Sequence, residues 1–297
     1  MKQPEYRSMK LLCPAKINLT LEVLAEAPNG YHSLRSVMVP IGIYDEIAIA
    51  QSREFSFTCD DAALGGADNL AARAVRALDP GARVSIALKK RIPTKAGLGG
   101  GSSDAAASLR AAMRGALQCA AEPDWLATAR SLGSDVPFFL AGTAALVEGT
   151  GERVTAIGTL PDWHVLVVKP PVGVATADAY AMLDTRTPRS RPRNISQSLL
   201  MVEAFQRRDF AEVQSLLGND FHEPVASATP EVALSIAALV QAGARHALLC
   251  GSGSAVFTMA ETATEISAIQ ERLELPAEYL CFKAPFASTP DWRGHAS

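Results

Sequence analysis

Four glycines crowd one short run, PTKAGLGGGSSDAAASL from Pro93 to Leu109, at Gly97, Gly99, Gly100 and Gly101. Glycine takes backbone conformations barred to other residues and lets a ligand approach without a Cβ in the way. Ser102, Ser103 and Asp104 then read as helix-start residues ahead of AAASLRAAMRGAL. Free N–H groups and the positive end of the helix dipole would face whatever occupies the loop, and a phosphate fits there. The loop lacks the Gly-Lys-Ser/Thr ending of a Walker A motif. Ser102 also stands where a dinucleotide fingerprint or a protein-kinase glycine loop requires glycine. A flexible linker is the weaker reading, because a strand-like run, RVSIALKK from Arg83, precedes the loop and an alanine-rich helix follows it.

Other elements must bring partners to that loop. Between Cys13 and Leu24, Ala15, Ile17, Leu19, Leu21 and Val23 alternate with Lys16, Asn18, Thr20 and Glu22, which predicts a strand with one wet face. Lys16 and Asn18 share that face and are placed to meet a ligand together. In APNGYHSL, Asn29-Gly30 suits a tight hairpin, and Tyr31 and His32 begin the returning strand. An aromatic beside an imidazole suits stacking on a flat heterocycle and reading its edge. Ordinary surface roles remain the competing reading of both pairs.

Asp68-Asn69 predicts the start of a helix, NLAARAVRAL, that ends at Asp79-Pro80-Gly81. DWLATARSL forms another that stops at Gly133, Ser134-Asp135-Val136-Pro137 reads as a turn, and strands near 143–149 and 153–158 close the first half. Leu160-Pro161 is the expected boundary between domains 1–160 and 161–297. Beyond it come the strand WHVLVVK, a helix TADAYAML with Thr176 as its N-cap, and an arginine- and proline-rich solvated loop at 185–194. Helices near 194–217 and 229–242 follow, then strand, turn and strand in RHALLCGSGSAVFTMA, a helix at 262–273 and a strand near 279–284. This order predicts an antiparallel sheet backed by helices. Gly251-Ser252-Gly253-Ser254 needs no ligand as a hairpin, but if it faces the first loop its amides line the same pocket.

A chain of 297 residues with 48% hydrophobic content fits about two globular domains. A net charge of −3 gives no general attraction to nucleic acid or anionic membrane. No run of about 18 apolar residues exists. The opening MKQPEYRSMK is polar, so the expected setting is cytoplasmic, without spanning helix or secretion signal. The five cysteines, Cys13, Cys59, Cys119, Cys250 and Cys281, form no CxxC pair and read as reduced, buried and inert.

Taken together, PAKINLTLEV at 14–23, NGYHSLRSV at 29–37, DNLAARA at 68–74, Pro93-x-x-x-GLGGGSS, SDVPFFLAGTA at 134–144 and GSGSAVF at 251–257 resemble the GHMP kinases. That family includes galactokinase, homoserine kinase, mevalonate kinase and phosphomevalonate kinase. The marks are most similar to the branch whose acceptor is a cytidine diphosphate-linked methylerythritol. The resemblance implies an α+β, two-domain fold. Its N-terminal domain is a mixed sheet with a left-handed β-α-β unit (ribosomal S5 domain 2-like), and its C-terminal domain is a ferredoxin-like α/β sandwich. It further implies transfer of the ATP γ-phosphoryl group to the 2-hydroxyl of the acceptor, in the non-mevalonate route to isoprenoid precursors.

By the same resemblance Lys16 and Asp135 are catalytic. The ATP loop comprises Pro93, Thr94, Lys95, Ala96, Gly97, Leu98, Gly99, Gly100, Gly101, Ser102 and Ser103, with Asn69 and Lys90 at the adenine end. Tyr31 and His32 bind cytidine, and Asn18 and Thr176 touch substrate. Mg2+ is expected with ATP as co-substrate, yet no compact carboxylate cluster names its ligand; Ser103 and Asp135 lie nearby. Nothing implies a nucleic-acid or membrane partner. A mevalonate-, homoserine- or sugar-like acceptor is the alternative, and a non-catalytic nucleotide-binding module a weaker one, since a binder needs no base.

Overall fold

The computed structural model describes residues 8–26, 32–117, 123–186 and 196–287. The alternating N-terminal run forms β1 (Ser8–Glu26), which pairs antiparallel with β2 (His32–Gln51). β3 (Ser56–Cys59), α1 (Leu70–Leu78) and β4 (Val84–Lys89) make a β-α-β unit in which β3 and β4 run parallel. Asn69 starts α1 by accepting the Ala71 N–H, as DNLAARA predicts. From β4 the chain passes through the glycine loop into α2 (Gly100–Met113), then α3 (Trp125–Leu132) and α4 (Val136–Ala141). β5 (Ala145–Gly149) pairs with β2, and β6 (Arg153–Ala156) with β5.

The second half contains β7 (His164–Lys169), α5 (Thr176–Arg186), α6 (Gln197–Arg207), α7 (Phe210–Ser215) and β8 (Gly218–Asn219). It continues with α8 (His222–Ala228), α9 (Pro230–Gln241), β9 (Leu248–Leu249), β10 (Val256–Ala260), α10 (Ala263–Glu271) and β11 (Leu280–Pro285). β11, β7, β10 and β9 form an antiparallel sheet in that order, the ferredoxin-like arrangement. The other sheet runs β3-β4-β2-β1-β8, so β8 joins the N-terminal sheet, parallel to β1, from the far half of the sequence. One apolar core serves both halves: Ile17, Leu19, Val39 and Ile41 pack in one cluster with Trp163, Val167, Phe205 and Phe257.

Several expectations are corrected. The polar face of β1 is not wet: Lys16, Asn18, Thr20 and Glu22 are all buried. Residues far along the chain cover it, with Thr20 Oγ1 donating to Ser198 Oγ at 2.8 Å and Glu22 accepting the Ser198 N–H at 3.1 Å. α2 begins two residues early, at Gly100, with Gly99 as N-cap in the left-handed region, so Ser102, Ser103 and Asp104 lie inside the helix. Thr176 is the first residue of α5 and not its cap, because its hydroxyl meets Ser252 Oγ at 3.2 Å instead of its own helix. The helical stretch near 194–217 breaks where Arg208 turns left-handed (φ 56°) and Asp209 caps α7. β8 and the short α8 have no counterpart in the sequence reading. Among the described cysteines, all free thiols, Cys13 and Cys250 are buried, and burial pushes Cys250 up to about 12, but Cys59 and Cys281 are only half-buried, contrary to the expectation. Cys119 and most of 185–194 fall outside the described residues.

Candidate active site

Gly97 and Gly99 hold the left-handed conformation (φ 73° and 72°), and neither position has room for a side chain. A Cβ at Gly97 would lie 1.7 Å from the Cys250 carbonyl oxygen, and one at Gly99 would lie 2.9 Å from the Phe139 ring. Ala96 and Leu98 point into the core, whereas Thr94 and Lys95 are exposed and Pro93, Gly100 and Ser102 half-buried. The loop therefore offers backbone to a ligand. No side chain caps α2, so its first N–H groups remain for an anion. Ser103 Oγ, one turn in, is buried with no hydrogen-bond partner among the described residues.

The second glycine turn does face the first. Lys95 O accepts from Ser254 N (3.3 Å), Ala96 O accepts from Ala255 N (3.1 Å), and a Cβ at Gly251 would sit 3.0 Å from Lys16 Nζ. β1 fixes Lys16 from below, its backbone N–H donating to Leu98 O at 3.0 Å. Lys16 Nζ donates to Asn18 Oδ1 at 2.8 Å and lies 3.7 Å from Asp135 Oδ2. Asn18 is held in turn by donating to Ser36 Oγ at 2.7 Å. Asp135 occupies the N-cap position of α4 with no side-chain capping bond, its side chain 34% exposed, so its carboxylate stays partly open.

Lys90 has different company. Its ammonium donates to Asp45 and to Asp104, the latter at 2.8 Å, and both carboxylates are buried. Asp45 also accepts the Ile92 N–H at 2.8 Å, which anchors the entry to the loop. Burial works against the Lys90 charge, but Asp104 and Asp45 outweigh it and raise the Lys90 pKa. Burial, opposed by Lys90 and reinforced by Asp45, pushes Asp104 up to about 7. Asn69, the other adenine-end residue expected, accepts from Ala71 N and donates to Leu64 O at 3.1 Å.

The His32 ring, expected to bind cytidine, stacks on Tyr180 (centroids 4.9 Å, 16°), and His32 Nε2 lies 3.6 Å from Asp184 Oδ1. Tyr180 meets Phe221 edge-on at 4.9 Å. Burial and the Asp135 charge raise the Tyr180 pKa, so the ring lies within electrostatic reach of that carboxylate. Tyr31 lies outside the described residues. The sequence reading passed over Tyr180. The signal was present: Thr176, Tyr180 and Asp184 recur every four residues and line one helix face.

Known proteins match this chain in sequence and fold. The GHMP kinases N terminal domain matches residues 69–143, and the GHMP kinases C terminal domain matches residues 201–277. A protein of Pelotomaculum thermopropionicum named 4-diphosphocytidyl-2-C-methyl-D-erythritol kinase is 38% identical over 89% of this chain and 94% of its own length. This chain belongs to the GHMP kinase family. A Deinococcus radiodurans protein of the same name is 38% identical over 86% of this GHMP kinase and 85% of its own chain. A crystal structure of 4-(cytidine 5'-diphospho)-2C-methyl-D-erythritol kinase superposes with a TM-score of 0.74 at 32% identity, covering 94% of this chain and 100% of the other. The homoserine kinase of Cytophaga hutchinsonii, 18% identical with a TM-score of 0.65 over 97% and 98% of the two chains, shares the fold. No helix among the described residues is long and apolar enough to cross a membrane.

Proposed function

We infer that this GHMP kinase transfers the γ-phosphoryl group of ATP to the 2-hydroxyl of 4-diphosphocytidyl-2-C-methyl-D-erythritol, on the non-mevalonate route to isoprenoid precursors. The observation that carries the chemistry is Lys16 Nζ at 3.7 Å from Asp135 Oδ2, beside the glycine loop. Phosphoryl transfer passes through a loose transition state, so positioning and charge stabilisation supply most of the catalysis. Asp135 accepts the proton of the attacking hydroxyl. Lys16 orients that carboxylate and offsets the charge that develops on the transferred oxygens. Backbone N–H groups from Gly97 to Ser102 cradle the ATP phosphates, and Asn69 and Lys90 border the adenine. His32, Tyr180 and Tyr31 take the cytosine, with Asn18 and Thr176 towards the rest of the acceptor.

Mg2+ travels with ATP in this reading. Ser103 Oγ, buried without a partner, and the partly open Asp135 carboxylate are oxygen donors of the kind that ion takes. Among the described residues no three His, Cys, Asp or Glu side chains cluster to hold a metal on their own. When bound, the ion would neutralise phosphate charge. The division into 1–160 and 161–297 is supported by the two sheets, each drawn mostly from one half.

An ADP-release assay with the cytidine substrate, mevalonate, homoserine and galactose in parallel tests the reading. Turnover of the cytidine substrate alone is expected; turnover restricted to one of the other alcohols would overturn it.

A further inference from the structure

Lys169 ends β7 and is 6% exposed, beside neither the Lys16–Asp135 pair nor the acceptor rings. Its Nζ donates to two carbonyl oxygens of the turn that follows, those of Pro170 and Val172, the latter at 2.8 Å. Burial alone lowers its pKa, with no neighbouring charge contributing. An ammonium buried without a carboxylate is costly, and a methionine of similar length would avoid that cost. The turn it gathers is coupled to the phosphate loop. Val172 O accepts a second hydrogen bond, from Ser254 Oγ, at 2.5 Å. Ser254 N and Val174 N both donate to Lys95 O at 3.3 Å, and a Cβ on Gly173 would lie 2.8 Å from Lys95 Cβ. Lys169 also lines a cleft of about 460 Å³ together with Arg91, Pro93 and Thr94 at the entry to the loop.

We propose that Lys169 is a positioning residue for the nucleotide: by drawing the Pro170 and Val172 carbonyls to one point, it sets the 170–174 strap that holds Lys95 to Gly97 in phosphate-binding shape. The strap crosses from the C-terminal sheet to the loop, so the carbonyl of Lys95 becomes the meeting point of both halves. Lys95 itself is strained there, with φ at 49° in the left-handed region, and such a residue keeps its conformation only when its surroundings over-determine it. The Val174 and Ser254 N–H groups supply that constraint, and Lys169 supports both. The identity of the nucleotide rests on the kinase reading; the link between Lys169 and the loop does not.

Calorimetric titration of a non-hydrolysable ATP analogue into the wild type, Lys169→Met, Lys169→Arg and Ser254→Ala tests the link, with KM measured for both substrates. Lys169→Met should weaken the analogue about 10-fold, the order of one charge-assisted hydrogen bond. KM for ATP should rise alongside while KM for the alcohol holds, and Lys169→Arg should recover most of the loss. Ser254→Ala, which removes a single hydroxyl, should weaken nucleotide about threefold, and it alone decides the matter if Lys169→Met fails to fold. Unchanged nucleotide affinity in Lys169→Met, or in Ser254→Ala where that variant alone is available, would overturn the proposal. So would equal losses for nucleotide and alcohol with no rescue by arginine. Wild-type protein that binds the analogue yet phosphorylates none of the alcohols would instead sink the kinase reading.

Discussion

Lys16 and Lys90, with side chains 5% and 10% exposed, reach the same loop at neighbouring glycines, and their surroundings are unlike. A Cβ on Gly99 would meet the Lys16 chain at 3.1 Å, and one on Gly100 would meet the Lys90 ammonium at 3.2 Å. Lys90 is engaged by two buried carboxylates, a cluster that already carries more negative than positive charge. Lys16 has one amide oxygen at hydrogen-bond distance and a carboxylate at 3.7 Å. An over-paired lysine has no charge left for a phosphate, whereas an under-paired one does. Burial and proximity to the loop do not separate the two; the partner count does.

The sharpest way to break this contrast is to remove each charge and measure turnover and stability together. Lys16→Met should lower kcat by about 10²–10³, the range for one lost electrostatic stabiliser, with Tm little changed. Asp135→Asn should lower kcat at least ~100-fold while ATP still binds, since a general base is lost and the loop is not. Lys90→Met leaves two buried carboxylates facing each other and should cost about 3–5 kcal/mol of stability, read as a lower Tm or denaturant midpoint. Similar Tm losses in Lys16→Met and Lys90→Met would erase the distinction.

A finer test uses pH. Asp104, raised from 3.8 to about 7 in the folded protein, favours its neutral form, so the stability it contributes is full below pH 3.8 and is lost as pH rises through about 7. Asp104→Asn should therefore flatten the decline in Tm across that window; an unaltered profile would show that Asp104 does not titrate there. The smallest effect lies at the acceptor end. Tyr180→Ala should raise KM for the cytidine substrate by roughly five- to tenfold, about 1 kcal/mol of lost stacking, and leave kcat nearly intact. A fall in kcat with KM unchanged would move Tyr180 out of the recognition role.

Local chemistry made much of this legible in advance. Asn69 before an apolar-periodic run announces α1, and the glycines announce a loop that only backbone can line. Alternation announced β1 as well, but alternation says which residues share a face and not what covers it. Ser198 lies 178 residues from Thr20, so the burial of that polar row had no local signal. Lys90 was obscure for the same reason, with Asp45 and Asp104 brought to it from 45 and 14 residues away. The start of α2 was misplaced because serine and aspartate are the usual caps, while here a left-handed glycine fills that position. α8 is too short to show a period and carries Pro224 in its first turn.

β8 has a consequence for how the protein is made. Domains commonly fold in turn as they leave the ribosome, the N-terminal one first. Here β1 emerges early, yet its outer neighbour is Gly218–Asn219, and Asp220 closes the arrangement by accepting the Val23 N–H at 2.8 Å. Until that segment is synthesised, the edge of β1 and its row of polar groups stand uncovered, with half of the shared core still missing. A nascent chain halted at residue 160 should show no cooperative unfolding transition, and one extended past Asp220 should approach it. Synthesis order, and not only thermodynamics, then sets the interval in which the edge of the first sheet stands open to wrong pairing.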